Sequence, residues 1–141
     1  EESREKTMKL SGGCLCGQVR YQAEAEPVFV GVCHCRNCQK QTGSAFNIVV
    51  AVPKPALSVA GVPRTYDDRG DSGKVLSRSF CPQCGSTLFD EAEAMPGVMM
   101  ISAGTLDDAS GVKPTMEIFC DSAQPWVALG GDQKRFPRMP G

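Results

Sequence analysis

A chain of 141 residues with 41% apolar and 22% charged side chains is typical of one globular domain with a modest core. Its 15 basic and 16 acidic residues argue against broad nucleic-acid binding, which normally needs a basic surface. No apolar run approaches the roughly 18 residues that span a bilayer, so we expect no membrane partner.

Polar segments lie at both ends of the sequence. We predict an N-terminal extension at 1–11, one domain at 12–130 and a C-terminal tail at 131–141. The opening "EESREKTMKL" lacks the apolar stretch of a secretory signal, which predicts a cytoplasmic location. Met8 is a candidate natural start; the alternative is that the preceding residues belong to the protein.

Short strands separated by turns dominate the predicted secondary structure. The first, 18–25, alternates apolar residues on one face, as a half-buried strand does. Further strands are predicted at 28–33, 45–52, 75–80, 86–92, 97–103 and 116–120. Turns or loops are predicted at 53–56, 61–64, 67–73, 94–97 and 107–114. One helical turn at 36–43, closed by Gly43, is the exception in a compact, mainly β fold of short antiparallel strands.

The eight cysteines are the unusual part of the composition. Seven of them lie in C-x-C or C-x-x-C clusters. A disulfide between such close neighbours closes almost no loop and therefore stabilises little, whereas the spacing suits a shared metal ion. We therefore favour metal binding over the alternative, a disulfide framework.

Two chelating pairs predict a closed structural zinc site. The first lies in "GGCLCG" (12–17), where an extended C-x-C would put both thiols on one side. The second lies in "CPQCG" (81–85), where the glycine after the second cysteine permits positive φ. The predicted ligands are Cys14, Cys16, Cys81 and Cys84. The alternative, four separate buried thiols, does not account for the pairing.

A second cluster, in "CHCRNCQKQTGSAF" (33–46), predicts an open metal site. Cys33, Cys35 and Cys38 can converge on one face of a turn. His34 is expected to point away as a supporting or surface group, with direct ligation as the alternative. Cys120 is expected to be a buried strand residue, with a role as fourth ligand as the alternative. Water or an incoming ligand is then the predicted fourth partner.

The charge of this cluster predicts the kind of ligand. Three thiolates beside Zn²⁺ make a poor Lewis acid for generating hydroxide and favour a soft ligand, such as a substrate thiol. Bound in this way, the thiol would lose its proton at neutral pH and become a nucleophile. The alternative is a cluster that stays empty or is oxidised and serves redox sensing.

Three motifs in register resemble a known family. "GGCLCGQVRY", "CHCRNCQKQTGSAF" and "FCPQCGSTLF" are similar to the signature of the glutathione-dependent formaldehyde-activating enzyme and centromere-protein-V family, from about Gly12 to Trp126. The resemblance implies a β-tent fold with two Zn²⁺ ions per chain. It assigns the first four cysteines to the structural zinc and Cys33, Cys35 and Cys38 to the second, catalytic-type zinc.

The resemblance also implies an activity and a partner. The implied enzyme is a carbon–sulfur lyase that adds glutathione, or a similar small thiol, to formaldehyde. Arg36 and Lys40 are candidates to pair with carboxylates of that thiol, the alternative being solvated surface charge. The chain departs from the family at Glu117, where a histidine is frequent, and at Cys120, where an aliphatic residue is commoner.

Two alternatives come from other classes of protein. "FCDSA" faintly resembles the catalytic stretch of zinc-containing methionine sulfoxide reductases, which would make Cys120 a nucleophile. A non-catalytic, zinc-stabilised interaction module is the other alternative. It is disfavoured because its relatives depend on longer basic or extended segments than the termini here provide.

Overall fold

The computed structural model describes residues 7–70 and 72–140. The described chain forms eleven β-strands, one α-helix and three short 3₁₀ segments, which confirms the predicted mainly β fold. The strands are β1 Met8–Gly13, β2 Arg20–Ala25, β3 Phe29–Cys33, β4 Asn47–Pro53, β5 Leu57–Ala60, β6 Arg64–Arg69, β7 Val75–Phe80, β8 Thr87–Ala92, β9 Val98–Ser102, β10 Met116–Ile118 and β11 Lys134–Arg135. The helix α1 is Arg36–Thr42, and the 3₁₀ segments are Lys54–Ala56, Ala103–Thr105 and Cys120–Ser122.

These strands form two sheets. A three-stranded sheet has the order β1-β2-β5, and an eight-stranded sheet has the order β11-β10-β3-β4-β9-β8-β7-β6. Pairing is antiparallel, as predicted, except that β10 runs parallel to both β3 and β11. A parallel pair needs a long connection rather than a hairpin, and the chain between β3 and β10 supplies one through six intervening strands.

The core lies between the two sheets. β2 contributes Tyr21 from the small sheet to a buried cluster that also contains Val50, Leu88 and Ile101 from the large sheet. The Tyr21 ring meets the edge of Phe89 at a centroid distance of 6.2 Å. Burying each large apolar side chain contributes about 1.5–3 kcal/mol to stability. β2 buries alternate residues, which confirms the half-buried face predicted from the apolar alternation at 18–25.

Helix α1 lies directly after β3 and begins at a cysteine. The Cys35 side chain caps the helix by accepting a hydrogen bond from the Cys38 backbone N–H, and Gly43 ends it at φ 69°. A left-handed residue at this place is why glycine suits the end of the helix. The predicted helical turn and its glycine cap are confirmed.

Both terminal segments contribute strands to the sheets. β1 begins at Met8, within the predicted extension at 1–11, and β11 lies within the predicted tail at 131–141. The boundaries drawn from the sequence stay a prediction. In the part of the chain that the structure describes, no helix is both long and apolar enough to cross a membrane.

Candidate functional site

The four cysteines of the predicted structural site come together from two turns. Cys14 and Cys16 lie between β1 and β2, and Cys81 and Cys84 lie between β7 and β8. Their sulfurs all lie within 4.8 Å of one another, with 3.6 Å from Cys14 to Cys16 and 3.8 Å from Cys16 to Cys81. Sulfurs bound at about 2.3 Å to a tetrahedral zinc lie about 3.8 Å apart. The donor set therefore fits a zinc ion.

Backbone and hydroxyl groups are arranged to stabilise thiolates at this cluster. The Val19 N–H lies 3.2 Å from the Cys14 sulfur, and the Gln83 N–H lies 3.4 Å from the Cys81 sulfur. Hydrogen bonding with the Ser86 side chain and backbone lowers the pKa of Cys84 to about 5. Gly85 adopts φ 80°, as the motif predicts for the turn that aims these N–H groups.

The three cysteines of the second cluster converge where β3 meets α1. Cys33 ends β3, Cys35 caps α1 and Cys38 lies in its first turn, with the three sulfurs within 4.8 Å of one another. Hydrogen bonds from Cys33 and Cys38 lower the pKa of Cys35 to about 2. Contacts with Cys35 and Cys38 raise the pKa of Cys33. Such a set could hold a soft metal ion.

A buried arginine, which the sequence analysis did not single out, contacts this cluster. Both terminal nitrogens of Arg78 lie 3.8 Å from the Cys38 sulfur. Its Nε donates to Asp68 at 3.0 Å, and Asp90 lies 3.5 Å away. Arg78 lies on the same face of β7 as Leu76 and Phe80, whereas Ser79 lies on the core-facing side, opposite Phe89. Alternation along that strand was the signal that could have found it.

His34, Glu117 and Cys120 form a third group, separate from the three-cysteine cluster. The His34 Nε2 and the Glu117 Oε1 lie 2.8 Å apart, in side chains that are 1% and 2% exposed. The Gln133 amide donates to the other Glu117 oxygen at 3.0 Å. His34 is thus not a surface group, because its ring is buried against Glu117. The carboxylate in the apolar stretch "MEIF" was the signal of this contact.

Cys120 does not join the three-cysteine cluster. It begins the 3₁₀ segment Cys120–Ser122, after Phe119 at φ 56°, and its sulfur contacts the Glu117 carbonyl oxygen at 3.6 Å. The expectation that it is a strand residue is wrong, because the backbone turns left-handed just before it. Its side chain is partly exposed. The group of potential ligands that includes Cys120 contains His34 and Glu117.

Two cavities flank α1. The charged cavity, of about 670 Å³, is lined by Lys40, Tyr66, Asp68 and Arg78 among others. The neutral cavity, of about 650 Å³, extends from Thr42 and Phe46 to Ser102 and Val112. Both volumes are within the roughly 300–1,000 Å³ usual for small-molecule sites. Arg36 and Lys40 were the candidates to pair with carboxylates of the thiol. Lys40 lines the charged cavity, whereas Arg36 lines neither of these two cavities.

The model of one family matches this chain over most of its length. Residues 9–122 match the family described as glutathione-dependent formaldehyde-activating enzyme. The chain belongs to the glutathione-dependent formaldehyde-activating enzyme family. This confirms the resemblance found in the three cysteine motifs. The matched region contains all eight cysteines, so both clusters lie within it.

Relatives of this family are distant in sequence. An uncharacterized lyase of Schizosaccharomyces pombe is 30% identical over 81 residues, which cover 57% of this chain and 56% of that protein. A Halomonas elongata protein provisionally named a glutathione-dependent formaldehyde-activating enzyme is 25% identical, over 86% of this chain and 82% of its own length. Because the chain spans little more than half of the first relative, the activity of that whole protein is carried over only as a proposal.

A solved structure supports the fold. The crystal structure of a Rhodobacter sphaeroides protein matches with a TM-score of 0.54 and 22% identity, over 76% of this chain and 92% of that chain. At this identity the likeness extends to the fold alone. It agrees with the β-rich architecture described above.

Proposed function

We propose that this protein is a zinc-dependent carbon–sulfur lyase that adds glutathione or a similar small thiol to formaldehyde. The observation that carries the proposal is the three-cysteine cluster, which supplies three sulfurs and no fourth one, in a member of the formaldehyde-activating family. The proposed zinc count is two per chain. One ion is structural, at the four-cysteine cluster, and the other is held by Cys33, Cys35 and Cys38.

The chain contributes binding and charge to the reaction. A zinc ion held by the three thiolates would lower the pKa of an added thiol, so that its thiolate persists at neutral pH. Arg78 offsets part of the negative charge of the cluster because its guanidinium contacts Cys38. The neutral cavity beside α1 provides space for the uncharged part of the thiol molecule that adjoins its sulfur.

The bond changes are those of thiol addition to an aldehyde. The substrate sulfur attacks the carbonyl carbon of formaldehyde, a C–S bond forms, and the C=O π bond opens. The proton lost by the thiol is returned to the new oxygen, which gives an S-hydroxymethyl product. We assign the proton transfer to solvent water rather than to His34, because that ring is buried and hydrogen-bonded to Glu117.

Exchange NMR at equilibrium tests the proposal directly. Formaldehyde and glutathione form the adduct spontaneously, so the measured quantity is the rate of interconversion between free and hydroxymethylated thiol. We expect zinc-loaded protein to raise this rate above the uncatalysed value, and Cys35→Ser to return it to that value. A wild-type rate equal to the uncatalysed rate, with both metal sites filled, would contradict the proposal.

Cys120→Ser is the matched cysteine control, and it also tests the alternative chemistry. Cys120 lies with His34 and Glu117 rather than with the three-cysteine cluster, so we expect its loss to leave the exchange rate within twofold of wild type. Reduction of a methionine sulfoxide peptide, assayed with a dithiol reductant, should be absent in both proteins. Reduction that disappears in Cys120→Ser would instead favour the sulfoxide reductase alternative.

A further inference from the structure

The neutral cavity has a feature that the proposed function does not use. Two of its lining residues, Asn47 and Ser102, are each 5% exposed. The Asn47 Nδ2 and the Ser102 Oγ have no hydrogen-bond partner and almost no solvent-exposed surface. Buried polar groups are nearly always hydrogen-bonded, because an unpaired one costs much of its lost hydration. Because both residues line the cavity, a partner of these two atoms would enter from it once their side chains turn towards it.

The strand register places Asn47 beside Cys33 and places Ser102 on the same face of the sheet. Asn47 lies directly opposite Cys33 in the β3–β4 ladder, and Ser102 lies opposite Val49 in the β4–β9 ladder. Residues opposite one another in a sheet lie on the same face, as do alternate residues along one strand. Cys33, Asn47, Val49 and Ser102 therefore share a face. A molecule whose sulfur reaches the cluster can place its neighbouring groups against Asn47 and Ser102.

The lining also defines the chemistry of the occupant. Among the described residues, those lining the neutral cavity are all uncharged, and Phe46, Ile48, Val112 and Pro114 add apolar wall. An ionised carboxylate brought there would lose hydration without gaining a counter-charge. An uncharged amide avoids that loss, since its carbonyl accepts from an amide or hydroxyl and its N–H donates to a hydroxyl oxygen.

Both groups can reach such an occupant with small movements. The terminal torsion of an asparagine is soft, and a serine hydroxyl hydrogen rotates freely. We propose that the neutral cavity is an amide-binding subsite, in which Asn47 and Ser102 recognise an uncharged amide next to the thiol of the substrate. The proposal deepens the proposed function: it rests on a thiol reaching the three-cysteine cluster, and it names the two residues that would distinguish an amide-bearing thiol, such as glutathione, from a simple one.

Three small probes separate the amide from the thiol. N-acetylcysteine methylamide carries a thiol and two uncharged amides, its S-methyl derivative keeps the amides but has no thiol, and 2-mercaptoethanol has a thiol but no amide. Each is titrated into zinc-loaded protein and followed by nitrogen–proton NMR. The side-chain amide signal of Asn47 is assigned by its absence in Asn47→Leu. We expect both amide probes, but not 2-mercaptoethanol, to shift that signal.

Affinities of variants complete the test. Ser102→Ala and Asn47→Leu should each weaken binding of N-acetylcysteine methylamide about five- to tenfold, the usual effect of one lost hydrogen bond, and leave 2-mercaptoethanol within twofold. Ser79→Ala is the matched control, because Ser79 is 6% exposed on β7 and is not part of the cavity lining. Ser102→Ala removes a single oxygen atom. It therefore still tests the subsite if Asn47→Leu does not fold.

The outcomes separate this proposal from the proposed function. An unmoved Asn47 signal with saturating S-methyl probe, or unchanged affinity of both variants for the amide thiol, would overturn the subsite. A thiol probe that binds no more tightly than its S-methyl derivative would instead count against thiol binding at the cysteine cluster. In that case a shifted Asn47 signal would still support amide recognition by the cavity.

Discussion

At the scale of single residues, the buried Arg78 affects the charge of the three-cysteine cluster. Three thiolates around a divalent ion leave a net charge of −1, which is costly in a site away from water. Arg78 is 3% exposed and places a permanent positive charge 3.8 Å from the Cys38 sulfur. Asp68 and Asp90 orient it from the other side. A residue outside the cysteine motif therefore supplies positive charge next to the cluster.

Arg78→Met should weaken zinc binding at the second cluster. Loss of a supporting charge usually lowers metal affinity about 10- to 100-fold, and here it also leaves the cluster negatively charged. Competition with a chromophoric chelator measures the affinity. Arg64→Met, at an exposed residue of the neighbouring strand β6, is the matched control and should leave the zinc affinity unchanged. Equal zinc affinity of Arg78→Met and wild type would show that the guanidinium does not serve the metal.

Asp90 predicts a distinct pH dependence of stability. Burial raises its pKa to about 7 from 3.8, against the pull of Arg78, with Cys35 and Asp68 adding negative charge nearby. A folded-state pKa above the unfolded value means that the native state binds the extra proton, so stability falls as pH rises between the two values. Relative to Asp90→Asn, wild type should lose about 2 kcal/mol between pH 5 and pH 7.

Urea unfolding of both proteins measures this difference. They share every cysteine, so the protons that the cysteines release on binding metal are common to both free energies of unfolding. The difference should become constant above about pH 8, where Asp90 is ionised in both states. A difference that does not change between pH 5 and pH 8 would show that Asp90 keeps an ordinary pKa.

At the scale of elements, the sequence predicted the interior of both sheets better than their edges. The seven predicted strands correspond to β2, β3, β4, β7, β8, β9 and β10. The four that were missed are β1, β5, β6 and β11, and each of them lies at the edge of a sheet. Edge strands need not bury a face, so charged residues replace the apolar alternation. "RTYDDR" of β6, part of which was predicted as a loop, is an example.

The candidate site was predictable to the extent that it is local in sequence. Closely spaced cysteines predicted both clusters, because the ligands of each turn are neighbours in the chain. Arg78, Glu117 and Asn47 were missed as contacts of the site because each comes from a different strand. The sheet brings Arg78 to Cys38 and Asn47 to Cys33. The parallel pairing of β10 with β3 brings Glu117 to His34. The sequence marks Arg78 and Glu117 as charged residues within strand patterns, but it does not show which distant residues they contact.

The turns that hold the four-cysteine cluster should decide whether the domain folds. Cys81 is fully buried, and its turn faces the β1–β2 turn across the two sheets. Structural zinc binding contributes on the order of 10 kcal/mol, comparable to the whole stability of a domain. Cys81→Ser should therefore abolish cooperative thermal unfolding by circular dichroism, whereas Cys35→Ser should keep it. A cooperative transition for Cys81→Ser near the wild-type temperature would contradict this role.

At the scale of the whole molecule, the two cysteine clusters occupy different places in the fold. The four-cysteine cluster joins a turn of the three-stranded sheet to a turn of the eight-stranded sheet. The three-cysteine cluster lies at one end of β3, with α1 and the two cavities around it. We infer that the first holds the sheets together and the second performs the chemistry.

Native mass spectrometry of reduced protein, purified without chelator, tests this account most directly. It counts the zinc ions on each chain and any thiol bound to them. The account predicts two zinc ions per chain and, after addition of glutathione, one bound glutathione that is absent in Cys35→Ser. A single zinc ion per chain, with no glutathione bound, would contradict it.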